Sequence, residues 1–336
     1  MNTTTATSAG TPAATAALRG LLWVAWRQHR ATSWIALGVL LALCTELVWL
    51  RDAMTGYVDV HGLRTACDDP DTCMTQWAAV ERFRSGYGDV LHYNGLLVEY
   101  LPLLIGVFVA GPVVARELES GTYRVAWTQS VSPAHWLLAK LALPAAAALA
   151  GVSALSALYT WTWRSVSGVD SGSLLPGQLW YDSFDALGAA PVASSLFAVA
   201  LGALAGLLIR RALTAVTVTA LAWTVVYWPL EALRPYLVDP VTTLSREMPG
   251  LSGDTSAWRY ERGLLTGSGG RVPEPDCGVG VPPARCAAEH GGTGWYLDSH
   301  PASHLWPLQG IQAGVLLSLA AALAAGAVWW LRRAHP

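Results

Sequence analysis

Carboxylates stand close together at Asp68, Asp69 and Asp71, at Asp182 and Asp185, and at Glu274 and Asp276. Two acids can share general acid and base work, but only when the fold aims both at one reacting atom. These acids lie in Gly-, Ser- and Pro-rich stretches with no nucleophile pattern beside them, so solvated loop charge is their expected role. Ser194 and Ser195, in Pro-Val-Ala-Ser-Ser-Leu, lack the strand–turn–helix setting of a hydrolase elbow. Cys277, Cys286, His290, His300 and His304 offer metal donors, yet their spacings fit no zinc pattern. The chain has no GxxxxGK[ST] run, and its single lysine, Lys140, stands in an apolar stretch without a preceding Gly-rich loop. It therefore has no cradle for ATP phosphates. No catalytic, cofactor-binding or metal-binding residue is assigned to this chain.

The elements that hold these residues are set by lipid. Of 336 residues, 53% are hydrophobic and only 13% charged, with a mean hydropathy of +0.37. Soluble domains carry about 25% charged residues. A hydrocarbon core about 30 Å thick needs about 20 apolar residues in a helix. Six segments qualify: 33–50, 96–115, 136–163, 186–209, 213–230 and 306–331. Backbone groups in lipid must bond within their own segment, so an all-α integral membrane protein is predicted. The net charge of −2 argues against nucleic acid as a partner.

Cations near span ends give the orientation. Arg19, Arg27, Arg30, Arg116, Arg124, Lys140, Arg210, Arg211, Arg332 and Arg333 fall on one side, with only Glu117 and Glu119 among them. That side is predicted to be cytoplasmic, with both termini inside and the chain in the plasma membrane. Three external loops follow, near 51–95, 164–185 and 231–305, the first and last being sizeable. Residues 1–32 read as a disordered cytoplasmic tail, lacking the order of a signal peptide, followed by an interfacial helix. From Ala17 to Arg30 that helix carries an apolar stripe of Leu18, Leu22 and Trp26 against Arg19, Arg27 and Arg30. Cys67, Cys73, Cys277 and Cys286 lie in external loops and read as two disulfides, neighbours closing short loops being the simplest pairing.

Smaller features concern packing and path. Gly202-Ala-Leu-Ala-Gly206 permits close helix approach, and Pro102, Pro112, Pro144 and Pro229 interrupt their helices. Trp77, Val80, Phe83, Tyr87 and Val90 or Leu91 recur at helical spacing in the first external loop, suited to cap the external mouth. Glu46, Glu99 and Glu231 are acids at outer span ends, costly if they face lipid. They pair locally, with Arg51 five residues after Glu46 and Arg234 three after Glu231, or they line a translocation path for a cationic amphiphile.

Ala115 to Lys140 is a charged stretch between two apolar runs. Arg116 and Glu119 are three apart, a helical pairing distance, and Glu117 stands between them. Ser120-Gly121 breaks the helix, with Gly at C′. Ser132 and Pro133 suit the N-cap and first residue of the next span. Between the breaks, Tyr123, Ala126 and Trp127 share a face of a short helix, with Arg124 and Gln129 turned elsewhere. That face either docks in a groove of a partner or lies on the bilayer.

From Tyr100-Leu-Pro through Gly106-Val-Phe and Ala115-Arg-Glu-Leu-Glu-Ser-Gly-Thr-Tyr-Arg-Val-Ala-Trp-Thr-Gln-Ser-Val-Ser to Trp136 and Lys140, the chain resembles permease subunits of type-2 ABC transporters. The resemblance covers about forty residues. The family pattern falls on Ala115, Arg116, Glu117, Gly121, Thr122, Trp127, Thr128, Gln129, Ser130, Val131, Trp136 and Lys140. It implies a coupling helix at 123–130 that docks on a separate ABC ATPase subunit, with 17–30 as the connecting helix. It also implies ATP and magnesium bound by that subunit, a homodimer or paired permease, and export of an amphiphilic drug-like, peptide or lipid substrate. Two departures stand out: Pro133-Ala134 replace residues that are often basic, and the 231–305 loop is unusually long. The competing reading is a membrane-bound enzyme or assembly factor acting through its external loops.

Overall fold

The computed structural model describes residues 12–65, 69–123, 132–167, 179–249, 256–277 and 281–334, with the backbone alone for 12–26, 28, 29, 32, 143, 144 and 334. Its helices are α1 (Pro12–Val60), α2 (Pro70–Phe83), α3 (Asp89–Ile105), α4 (Gly111–Ser120), α5 (Pro133–Ser167), α6 (Ala190–Ile209), α7 (Ala212–Leu233), α8 (Pro283–Glu289) and α9 (Leu305–Ala334). Among the described residues, six stretches are long and apolar enough to span a membrane: 33–60, 70–120, 133–167, 190–209, 212–236 and 302–333.

The first departure from expectation is at α1. It runs unbroken for 49 residues, so the predicted disordered tail is helical from Pro12 and the interfacial segment continues into the first span. The cause is local. Ala-rich sequence follows Pro12, and Arg30-Ala-Thr-Ser-Trp34 contains neither Gly nor Pro to stop propagation. The same helix extends ten residues past Leu50, so the segment predicted as the first external loop is largely helical. α2 starts on an Asp69 N-cap whose carboxylate accepts the amides of Asp71 and Thr72 at 3.1 and 3.0 Å. Val80, Phe83 and Leu91 are buried against Leu50, Met54 and Val58 of α1, as their helical spacing requires, while Trp77 stays exposed.

α2, α3 and α4 form one nearly continuous rod joined by π-helical turns at Arg84–Gly88 and Gly106–Ala110. The second turn lies between Pro102 and Pro112. Proline removes a backbone donor, and a π turn is one way a helix absorbs the defect. It also brings glycine to the contact. A Cβ added at Gly202 of α6 would strike the Gly106 carbonyl and lie 2.9 Å from the Gly111 nitrogen. One added at Gly206 would lie 2.7 Å from the Gly111 carbonyl oxygen. The small-residue pattern thus works as predicted, and its partner is the Gly106–Gly111 turn.

The second departure is the segment before the last span, which makes the fold helical with a small sheet rather than purely helical. Strands β1 (Val241–Ser245), β2 (Trp258–Thr266), β3 (Arg271–Pro273) and β4 (Gly292–His300) form an antiparallel sheet in the order β1-β4-β2-β3. The signal was Thr266-Gly-Ser-Gly-Gly270, which closes the β2–β3 hairpin with Gly269 at φ 81° and the Thr266 amide donating to the Gly270 carbonyl at 2.9 Å. Cys277 and Cys286 are disulfide-bonded, with Cα atoms 5.9 Å apart, tying α8 to the segment that follows β3, while Ala287 of α8 packs with Leu264 and Trp295 of the sheet. Cys73 is disulfide-bonded as well; Cys67 lies outside the described residues. The oxidised pair leaves no thiolates for the alternative metal site, and no cluster of metal donors occurs among the described residues.

The sheet docks on the bundle through rings. Trp258 sits edge-on to Trp180 at 5.9 Å and stacks with Tyr181 at 5.8 Å. His300, fully buried, stacks on Tyr260 at 5.4 Å, and its Nε2 donates to the Pro235 carbonyl at 3.0 Å. With Nε2 as donor, Nδ1 is the acceptor, so Nδ1 of His304 donates to it at 3.0 Å. Burial holds the His300 imidazole below its usual range.

Candidate functional site

Two polar constellations occupy opposite ends of the bundle. The first surrounds the charged loop. α4 ends at Ser120, and Gly121 takes the left-handed conformation at φ 73°. α5 begins after Ser132, whose hydroxyl accepts the His135 amide at 3.4 Å and whose carbonyl accepts the Trp136 amide at 3.0 Å. Both predicted breaks are therefore present.

The ion pairs differ from expectation. Arg116 is exposed, and Glu117 turns inward to form an ion pair with Nζ of Lys140. Its second oxygen accepts the indole N–H of Trp136 at 3.1 Å. Trp136 and Lys140 are four residues apart on α5 and present one face to α4. Glu119 accepts the Ala212 amide at 3.2 Å instead of pairing with Arg116. That amide is at the first residue of α7, where a helix leaves donors unmet. Neighbouring Arg210, at φ 56°, makes the tight α6–α7 connection. Val114, Trp136 and Leu137 pack with Ala203 and Leu207 of α6 and Ala327 and Leu331 of α9, with Tyr123 against their edge. Thr122 donates to the Glu117 carbonyl at 3.4 Å. Arg124, Trp127, Thr128, Gln129 and Ser130 lie outside the described residues.

The second constellation lies at the sheet end. Sequence reasoning assigned Asp185 to solvated loop charge and paired Arg234 with Glu231. The structure instead buries an Arg234–Asp185 ion pair at 2.6 Å, with side chains 6% and 11% exposed. Gln312 donates to the other Asp185 oxygen at 2.8 Å and accepts from Arg234 Nε at 3.2 Å. The guanidinium lies 4.0 Å over Phe184. Gln309 accepts the amides of Ala189 and Ala190 and donates to the carbonyls of Phe184 and Leu187 at 2.7 and 2.8 Å. These amides in lipid otherwise lack partners. Gln309 and Gln312 escaped notice in a long apolar run; polar side chains three apart on a span were the available signal.

The three acids predicted for a path do not gather at one point. Glu99 accepts the Tyr227 hydroxyl at 3.1 Å, with Asp185 and Glu231 as electrostatic neighbours. Glu46 accepts from Asn94 at 3.1 Å. Glu231 is exposed. Nor does Arg51 pair with Glu46; it lies 3.7 Å from Asp52 and 3.9 Å over the Trp161 ring. Among the other acid pairs, Glu274 is bound by Arg262 at 2.5 and 2.8 Å. Asp182 takes no part in the Asp185–Arg234 pair, and its carboxyl is pushed up by partial desolvation and eased by His92.

Six apolar spans and a clamped loop between the second and third are the geometry a comparison has to match. The family model described as ABC-2 membrane transporter related matches residues 37–234. The chain belongs to this family. No curated protein and no solved structure matches it. This ABC-2-related chain is thus a multi-pass membrane component of a transporter. The match takes in the first five spans, both ends of the charged loop and the Asp185–Arg234 pair. It stops before the sheet, the segment where the sequence departs from the permeases it resembles.

Proposed function

We propose that this chain is the permease subunit of an ATP-driven exporter, with the loop 116–135 in the cytosol as the seat of the ATPase. Both termini are then cytoplasmic, the membrane is the plasma membrane, and the sheet is external. Two copies form the working permease, and ATP and magnesium belong to the partner. The substrate class is amphiphilic: drug-like, peptide or lipid. Glu99, held by Tyr227 near Asp185 and Glu231, places a carboxyl group at the external end of the path.

The observation that carries this reading is the clamp around the loop. Glu117 ties its two limbs together, and Glu119 ties the first limb to α7. A partner pressing on such a loop moves spans rather than only the loop. The test is purification of the full chain from native membranes in mild detergent. An ABC ATPase is expected to accompany the wild type and to be lost from Trp127→Glu, whose membrane insertion stays normal. Undiminished ATPase in that variant removes the docking assignment.

A further inference from the structure

We propose that the end of α9 nearest the charged loop seats one anionic phospholipid, with its phosphate on Arg332 and Arg333 and an acyl chain in the groove beside them. The seat lies outside the coupling loop and stands whether or not an ATPase docks there.

The seat begins in the sequence. Ala320 to Ala327 holds six alanines and a glycine, and Trp329, Trp330, Arg332 and Arg333 follow. Ala327 and Leu331 take the face of α9 that packs on Ala203 and Leu207 of α6. On the side turned away, Ala324, Ala325, Val328, Trp329 and Arg332 line an open groove of about 450 Å³. Methyl side chains beside an indole leave that hollow, and Arg332 stands at its helix-end rim. Trp329 is 53% exposed, as a ring at headgroup depth is.

Charge selects the occupant. The acids of this end are engaged: Glu117 by Lys140 and Trp136, Glu119 by the Ala212 amide. Arg332 and Arg333 are exposed, and no carboxylate pairs with either among the described residues. The Arg333 guanidinium lies 4.4 Å over the Trp329 ring. Stacking of this kind orders the group and leaves its N–H edge open, which suits a phosphate held by two hydrogen bonds. The two cations also offset the negative end of the helix dipole, which would otherwise repel an anion. A free phosphate uses the arginines alone, whereas a phospholipid uses the arginines and the groove. A second copy meeting this face about a twofold axis would bring four arginines to one interface.

The test is native mass spectrometry of the full chain in detergent, titrated with phosphatidylglycerol or with phosphatidylcholine. Wild type is expected to hold one phosphatidylglycerol per chain in preference to phosphatidylcholine. Arg332→Gln with Arg333→Gln should weaken phosphatidylglycerol binding about fivefold per arginine, about 25-fold in all, and erase the preference. Ala325→Trp fills the groove while keeping both charges, and Ala325 is exposed, so the indole meets no packed core. It should weaken binding of both lipids. Arg82→Gln with Arg84→Gln removes equal charge at the sheet end and should bind as wild type does. Equal weakening in that control would reduce the effect to net charge and overturn the proposal. Unchanged phosphatidylglycerol binding in the Arg332/Arg333 variant overturns it as well. So does an Ala325→Trp chain that keeps both lipids and loses only a dimeric species, which would give the groove to a second copy.

Discussion

Replacing Arg234 by Met isolates the buried charge at the sheet end. In the native fold the guanidinium meets Asp185 at 2.6 Å and Gln312 at 3.2 Å, and covers Phe184 at 4.0 Å. Methionine fills much of the same volume but leaves Asp185, 11% exposed, without its cation, with only neutral donors such as Gln312 and Tyr227 beside it. Stranding one member of a buried pair costs about 3–5 kcal/mol. At roughly 2–4 °C per kcal/mol for a chain beyond 150 residues, the melting midpoint should drop by about 10 °C. Arg234→Met with Asp185→Leu removes both charges, so it should recover at least about half of that loss. The assay is thermal loss of the monodisperse peak in size-exclusion chromatography, in one detergent throughout. A single variant melting within about 2 °C of wild type would show the charge to be solvated after all. A double variant less stable than the single would refute the stranded-charge account.

Two further outcomes follow from the packing. Gly202→Leu should prevent close approach of α6 to the Gly106–Gly111 turn and sharply reduce the folded, monodisperse fraction, because the obstructing atoms are backbone. Gly38→Leu, where a Cβ meets nothing within 4 Å, is the matched control and should express normally. At His300 burial lowers the folded-state pKa, so its contribution to sheet docking is complete above about pH 6.5 and declines as pH falls below it. Protection of residues 258–300 against hydrogen exchange, with each rate corrected for the intrinsic pH dependence of amide exchange, should fall between about pH 7 and about pH 5.5, and this loss should vanish in His300→Phe. Protection that is flat over the interval would mean that His300 titrates alike in the folded and unfolded states.

Sequence alone determined the six spans, because lipid demands runs of apolar residues whose lengths are set by bilayer thickness. It also located the loop breaks at Gly121 and Ser132, since positive φ and helix capping are properties of single residues and their neighbours. The same holds for the Gly202–Gly206 contact surface, though not for its partner. What only the tertiary structure decided were the partners of the charges. Glu117 chose Lys140 over a neighbour on its own helix, Glu119 chose a backbone amide 93 residues away, and Arg234 chose Asp185 over Glu231. Charge pairing depends on which side chains are desolvated together, and local spacing does not encode that. The sheet was not read from the sequence, although its Thr266–Gly270 turn carries a hairpin signal. The strand order brings β4 between β1 and β2. Pairings across tens of residues are fixed by the aromatic surface onto which the sheet folds, a surface that exists only once the spans have assembled.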